Sequence, residues 1–336
     1  MRDSDRIFHK KTGASIGIGG KLMNEKRYLA FSDYLKGRFG CKVYKISIDA
    51  GFTCPNRDGS LGEGGCIYCN NQGFSPNTRR ERAPIGEQVR RGAEFMRARY
   101  KAEKFLAYFQ AFTNTYAPLE TLKRAYSEAL ACEDVVGLSV GTRPDCVPDE
   151  VLDLLASIGE GRETWIELGL QSAHDCTLER INRRHNVASF VDATKRSLDR
   201  GNLKICGHII LGLPGETREM MLDSARLLAD LGVNGVKIHL LHILKDTPLA
   251  EAHARGEIPI FKFEEYVSLV CDYLELLDPK IVIQRLTADG PSDLLIAPAW
   301  AMEKKRTIDA IEKELLKRDT RQGARASLPP PAAAKE

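Results

Sequence analysis

The chain has 336 residues, of which 43% are hydrophobic and 28% charged. That is enough for two domains or one large α/β barrel, and it excludes wholesale disorder, a collagen-like repeat and a coiled coil. The formal net charge of +3, from 49 basic and 46 acidic residues, points to neither a nucleic acid nor a membrane by itself. No run approaches the roughly 18 apolar residues of a bilayer span, so no membrane partner is expected. Nine cysteines, and a start at Met1-Arg2-Asp3-Ser4-Asp5 with no apolar signal core, predict a reducing cytoplasm. There, clustered cysteines bind metal or do chemistry more often than they form disulfides.

In chain order, residues 1–22 read as a flexible glycine-rich extension, with Met23 a candidate true start. Short β-rich runs follow at 43–48, 105–110, 135–140, 165–170, 205–211 and 236–241. Helical patterns lie between them at 85–100, 119–131, 148–158, 190–201 and 216–231. Strand-helix alternation predicts a parallel sheet, because each parallel crossover needs a covering element, and six such units make a partial barrel or a doubly wound sheet. Residues 23–245 form this core. A smaller α/β extension over 246–318, with helices at 263–277 and 302–317 and a strand at 280–286, is read as covering one end of the sheet. Residues 319–336, with Pro329-Pro330-Pro331, read as a disordered tail.

Several strands carry polar residues on one face: Tyr108 with Gln110, Glu167 with Gln171, Lys237 with His239. Inward layers of a packed barrel are apolar, so repeated inward polar residues suggest a cavity that holds something.

The sharpest local signal is the run from Cys54 to Cys69, a C-x11-C-x2-C arrangement with Cys66 between them, right after the first strand. Five glycines from Gly51 to Gly65 let the loop fold tightly around a metal centre. Structural zinc needs four closed ligands, and the next histidine is His174. A zinc site would need Cys41 or a distant residue, whereas a four-iron cluster with one open iron needs only three thiolates. Cys132, Cys176, Cys206 and Cys271 are dispersed and read as core, as do Cys41 and Cys146.

These residues resemble the radical S-adenosylmethionine (radical SAM) superfamily, in the longer-spaced form of the Elongator catalytic subunit. Tyr108 to Thr115, Gly141-Thr142-Arg143-Pro144-Asp145, Glu167 to Ser172, Asn182-Arg183-Arg184-His185 and Gly207 to Glu216 follow in the order of that branch. Gln284-Arg285-Leu286-Thr287 and the stretch from Asp293 to Trp300 extend the likeness to the YhcC-like radical SAM proteins, which lack an acetyltransferase domain. The resemblance implies a partial (β/α)6 TIM-like barrel with a small C-terminal α/β extension.

It also implies a 4Fe-4S cluster on Cys54, Cys66 and Cys69, with S-adenosyl-L-methionine (SAM) on the fourth iron. Reductive cleavage of SAM would give a 5′-deoxyadenosyl radical that abstracts a substrate hydrogen. A reductant such as flavodoxin or ferredoxin is then needed. By motif position, Gln110 and Thr113 would bind near the methionine amino group and Arg183 its carboxylate, with Arg184 able to exchange roles. Thr142 and Asp145 are ribose candidates, Gln171 another polar contact, and Ile210 to Pro214, including Leu213, would meet the adenine. Lys237 and His239, with His242, are candidates to move a proton near the substrate.

Residues 79–104 hold nine basic residues against four glutamates, a stretch able to grip a phosphate backbone or to form a solvated helix face. With the Elongator likeness, this makes tRNA wobble-uridine modification the preferred substrate class. The alternative from another class is a zinc-stabilised nucleic-acid-binding module without catalysis.

Overall fold

The computed structural model describes residues 26–70, 82–287, 290 and 292–326. The readings on residues 1–22, Met23, Arg79, Arg80 and 327–336 lie outside them. The sheet has seven strands, all parallel: β1 (Val43–Ile48), β2 (Lys104–Phe109), β3 (Val135–Thr142), β4 (Glu163–Gln171), β5 (Lys204–Leu211), β6 (Gly235–Leu240) and β8 (Val282–Arg285). They lie side by side in that order and curl into a partial barrel. Between β6 and β8 the chain adds β7 (Ile243–Leu244), which pairs antiparallel with β9 (Leu295–Ala297).

The crossovers carry α2 (Ile85–Tyr100), α3 (Leu119–Leu130), α4 (Asp149–Ile158), α5 (Asp175–Arg180), α6 (Val187–Leu198) and α7 (Arg218–Asp230). Side-chain caps start two of these: Asn186 accepts from the Ser189 N–H at 2.9 Å, and Thr217 accepts from the Met220 N–H at 3.3 Å. Outward-facing Ile46, Ile48, Phe105, Phe109, Leu138, Val140, Ile166, Leu168, Ile238 and Leu240 form the main core beneath the helices.

The C-terminal extension does not merely cover one end of the sheet. Its strand β8 is the seventh sheet strand, against β6, because 282–285 offers a free ladder to the edge that six units leave open. Helix α1 (Phe31–Phe39) packs on both β1 and β8 and spans the gap between the two edges, with Ala30 bridging to Ile283. Phe31 and Tyr34 stand edge-on to the buried Trp165, at 5.5 and 6.0 Å between ring centres, and seal the N-terminal end of the barrel. The Glu163 carboxylate ties this seal together. It accepts from Trp165 Nε1 and Tyr34 Oη at 2.8 Å each and pairs with Arg38 and Lys204.

After α8 (Pro248–Ala254) and α9 (Phe263–Leu276), α10 (Lys304–Lys317) packs against α9. The order of the chain also runs past 318: Gln322 is buried, accepts from the Leu29 N–H and donates to the carbonyls of Asp278 and Ile281. Cys206 and Cys271 are buried as read, but Cys176 is exposed on α5, a helix too short to bury every face.

Candidate active site at the barrel mouth

Alternation along the strands sends Lys45, Tyr108, Ser139, Glu167, Lys237 and Gln284 inward and their apolar neighbours outward. The inward set forms a polar layer above the aromatic seal. Glu167, almost wholly buried, takes the ammonium groups of both Lys45 and Lys237 and accepts from Ser139 Oγ at 2.7 Å. Lys45 also donates to Gln284 Oε1 at 2.6 Å, across the gap between β1 and β8. Burial opposes ionisation of Glu167, yet the two lysines hold its carboxyl well below the ordinary range.

Above this layer a cavity of about 1180 Å³, its open mouth included, occupies the C-terminal ends of the strands. A functional site is expected at that end of such a barrel. Cys54, Cys66 and Cys69 all line it. Their loop is clamped in place: Asn56 Nδ2 donates to the Asn182 carbonyl at 2.7 Å, and Asn182 Nδ2 donates to the Gly65 carbonyl at 2.8 Å. Gly65 has φ +83°, and a Cβ there would stand 2.8 Å from Arg57 Nε, so only glycine lets the loop close over that guanidinium. Arg57 Nη2 donates to the Cys69 carbonyl at 2.9 Å. Without a metal, burial first and then the neighbouring Cys66 push the Cys69 thiol up to about 12. Among the described residues, no group of three His, Cys, Asp or Glu is arranged to hold a single metal ion.

Gln110, Thr113, Thr142, Gln171, Arg183, Ile210 and His239 line the same cavity. Ala111 and Phe112 are successive left-handed residues, φ +52° and +63°, and turn the segment after β2 around the rim. Arg183 is buried and donates to the Gly169 carbonyl at 3.1 Å and towards Cys66 Sγ at 3.7 Å. Arg184 is exposed and bonded to Asn182, so the two do not exchange places. Among the described residues, no hydrogen-bond partner reaches the buried atoms Thr113 Oγ1, Gln171 Oε1 and Arg183 Nε. Three thiols, a cationic donor and two neutral polar groups around one cavity fit an iron-sulfur cluster with the amino-acid end of SAM beside it.

Three of the sequence candidates are placed elsewhere. Asp145 faces the adjoining groove, not the cavity. Both its oxygens are taken by Arg143, at 2.9 and 2.7 Å, and Arg143 in turn donates to the Arg183 carbonyl at 3.0 Å. Burial opposes the charge of Asp145, but Arg143 holds its carboxyl below the usual range. Asp145 is thus placed as a positioning residue. Leu213 lies behind the wall in an apolar cluster with Cys66, Tyr68 and Ile210. Lys237 sits one layer below the cavity, held by Glu167 and by Tyr108 Oη at 2.9 Å. His239 does reach the wall, with Nδ1 at 2.6 Å from the Leu240 carbonyl, which fixes the Nδ1–H tautomer.

His208, Arg143 and Arg285 also line the cavity and had no assigned role in the sequence reading. Strand alternation was the available signal for His208, two positions before Ile210. Arg285 gave none, because its strand had been read outside the barrel.

The sequence profile of the radical SAM superfamily matches residues 54–228, and that of the radical SAM C-terminal domain matches 233–317. The chain belongs to the radical SAM superfamily. It is 43% identical over 299 residues to YtqA of Bacillus subtilis, covering 89% of this chain and 92% of YtqA. It is 41% identical over 271 residues to YhcC of Escherichia coli K12, covering 80% and 86%. A tRNA uridine(34) acetyltransferase of Methanocaldococcus infernus is 30% identical over 165 residues, 48% of this chain and 30% of that protein. The structure of archaeal Elp3 from the same organism, lacking residues 1–46, matches with a TM-score of 0.62 at 20% identity, covering 83% of this chain and 64% of that one. This radical SAM enzyme shares the curled parallel sheet of that fold. Radical SAM enzymes generally use a 4Fe-4S cluster and SAM and need a reductant. Among the described residues, no helix is long and apolar enough to cross a membrane.

Proposed function

We propose that this radical SAM enzyme holds a 4Fe-4S cluster on Cys54, Cys66 and Cys69, binds SAM against it, and modifies the wobble uridine of tRNA. The observation that carries the cofactor assignment is the convergence of those thiols with the partnerless atoms of Thr113, Gln171 and Arg183 on one cavity. When bound, the cluster and SAM supply one-electron chemistry that ends in abstraction of a substrate hydrogen atom.

The chain's own groups bind, orient and exclude water. Arg183 offers a fixed guanidinium to a carboxylate, and Asp145 through Arg143 keeps the Arg183 backbone in place. Gln110 and Thr113 present neutral polar groups on the rim, and Thr142, whose hydroxyl meets Thr115 Oγ1 at 2.5 Å, supplies one at the end of β3. Ile210, backed by Leu213, gives an apolar wall suited to an adenine ring. The aromatic seal closes the far end of the barrel to solvent. His239 faces the cavity as a neutral imidazole able to pass a proton, its pKa held well below the ordinary value by burial and then by His242 and Arg285.

The tRNA assignment is supported by the partial likeness to a tRNA uridine(34) acetyltransferase and by the exposed Arg90, Arg91 and Arg99 on α2.

Anaerobic reconstitution with iron and sulfide, followed by dithionite and SAM, is expected to yield 5′-deoxyadenosine, and Cys66→Ala is expected to abolish both cluster and product. Zinc in place of iron and sulfide would favour the nucleic-acid-binding module instead. Mass analysis of tRNA nucleosides after turnover tests the substrate, and no change at the wobble uridine in the presence of SAM cleavage would remove that part.

A further inference from the structure

The charges around the cavity do not balance on the β8 side. Arg143 is answered by Asp145, and Arg57 and Arg183 face the cysteine loop. Glu167, among the described residues the only carboxylate lining the cavity, is already shared between Lys45 and Lys237, whose ammonium groups also stand 4.7 and 4.6 Å from the Tyr108 ring centre. Arg285 ends β8, opposite Lys237 in the ladder, and lines the cavity. Among the described residues no carboxylate lies within ion-pair distance of it. Its field reaches inward: it lowers the affinity of His208, His239 and Lys237 for protons, after burial has done most of that work. His208 stands beside it with Nε2 buried and without a partner, and the His208 and His239 rings are 5.7 Å apart.

Arg285 is half-buried at the cavity wall, and among the described residues no anion completes the hydrogen bonds of its guanidinium. We propose that Arg285, with His208 and His239 at its side, is the receptor for an anionic group of the substrate, a carboxylate or a phosphate. This inference rests on the radical SAM reading for the identity of the cavity as the substrate chamber. The planar fork of Arg285 suits two-point contact with either group, and His208 Nε2 can add a third hydrogen bond in the right tautomer. The methionine carboxylate of SAM is assigned to Arg183 beside the cysteines, so the Arg285 anion belongs to a second molecule.

The test uses cluster-loaded protein with saturating SAM and no reductant. Inorganic phosphate and acetate are titrated separately by calorimetry, with SAM affinity measured in parallel. At least one anion is expected to saturate at one site per chain. Arg285→Gln is expected to weaken that binding about tenfold or more, the loss of a charge-assisted hydrogen-bonded partner, while SAM affinity stays unchanged. Arg285→Lys keeps the charge and loses the fork, so it is expected to fall between the two. Saturation by phosphate alone points to a phosphoryl-bearing substrate, and saturation by acetate to a carboxylate-bearing one. Absence of saturable binding in the native protein, wild-type binding in both variants, or loss of SAM affinity in both would overturn the inference. Formation of 5′-deoxyadenosine by the same preparations is a separate readout: its failure with anion binding intact counts against the radical reading and not against the Arg285 site.

Discussion

His185 has its two ring nitrogens 3.2 Å from the carbonyl oxygens of Asn186 and Gly169. Burial first, and then the charge of Arg183, lowers its pKa to about 3. The folded chain therefore keeps this ring neutral at pH 5.5, whereas the unfolded chain protonates it near pH 6.5. The sign follows: the stabilisation is fully present above about pH 6.5 and is lost as the pH falls towards the folded value. One such histidine makes the protein less stable at pH 5.5 than at pH 8 by on the order of 1 kcal/mol. Urea unfolding at the two pH values is expected to show that loss, reduced in His185→Asn. An equal loss in the variant would show that other groups account for the whole slope. His208 and His239, held low chiefly by burial, add in the same direction.

The β3–β4 ladder depends on a residue without a side chain. A Cβ at Gly137 would stand 1.9 Å from the Glu163 carbonyl oxygen, and backbone in a central ladder has nowhere to go. Glu163 itself anchors Trp165, Tyr34, Arg38 and Lys204, so a shift there reaches the aromatic seal. Gly137→Ala is expected to cost about 1–3 kcal/mol or more, read as a lowered denaturation midpoint. An unchanged midpoint would mean that β3 and β4 can part without cost. Seven strands leave the barrel open between β1 and β8, and Phe31, Tyr34 and Leu35 of α1 pack against that gap and the N-terminal end of the barrel.

Across the whole molecule, charge is nearly balanced in number and uneven in place. Cations gather in the cavity, where ligands can answer them, and on the outer face of α2, where solvent does. Glu87 answers Arg91 and Asp134 answers Arg97, so the basic face is weaker than its count of arginines. Replacing Arg90 and Arg91 with Ala is expected to weaken tRNA binding and to reduce the slope of log affinity against log salt by about 2. Filter binding across a salt series reads both. Unchanged affinity and slope would remove α2 from the RNA surface.

The sequence by itself determined the alternation of strands and helices and the cysteine loop, because periodicity and spacing are properties of neighbours along the chain; whether six units wind as a barrel or a doubly wound sheet was decided by the fold. Inward polar residues on β2, β4 and β6 were legible for the same reason. Tertiary structure alone decided that β8 joins the barrel, that Arg183 and not Arg184 lines the cavity, that Asp145 turns away to hold Arg143, and that Lys237 is spent on Glu167. Each of these depends on which groups from distant segments compete for one buried charge or one free strand edge, and that competition exists only once the chain has closed on itself.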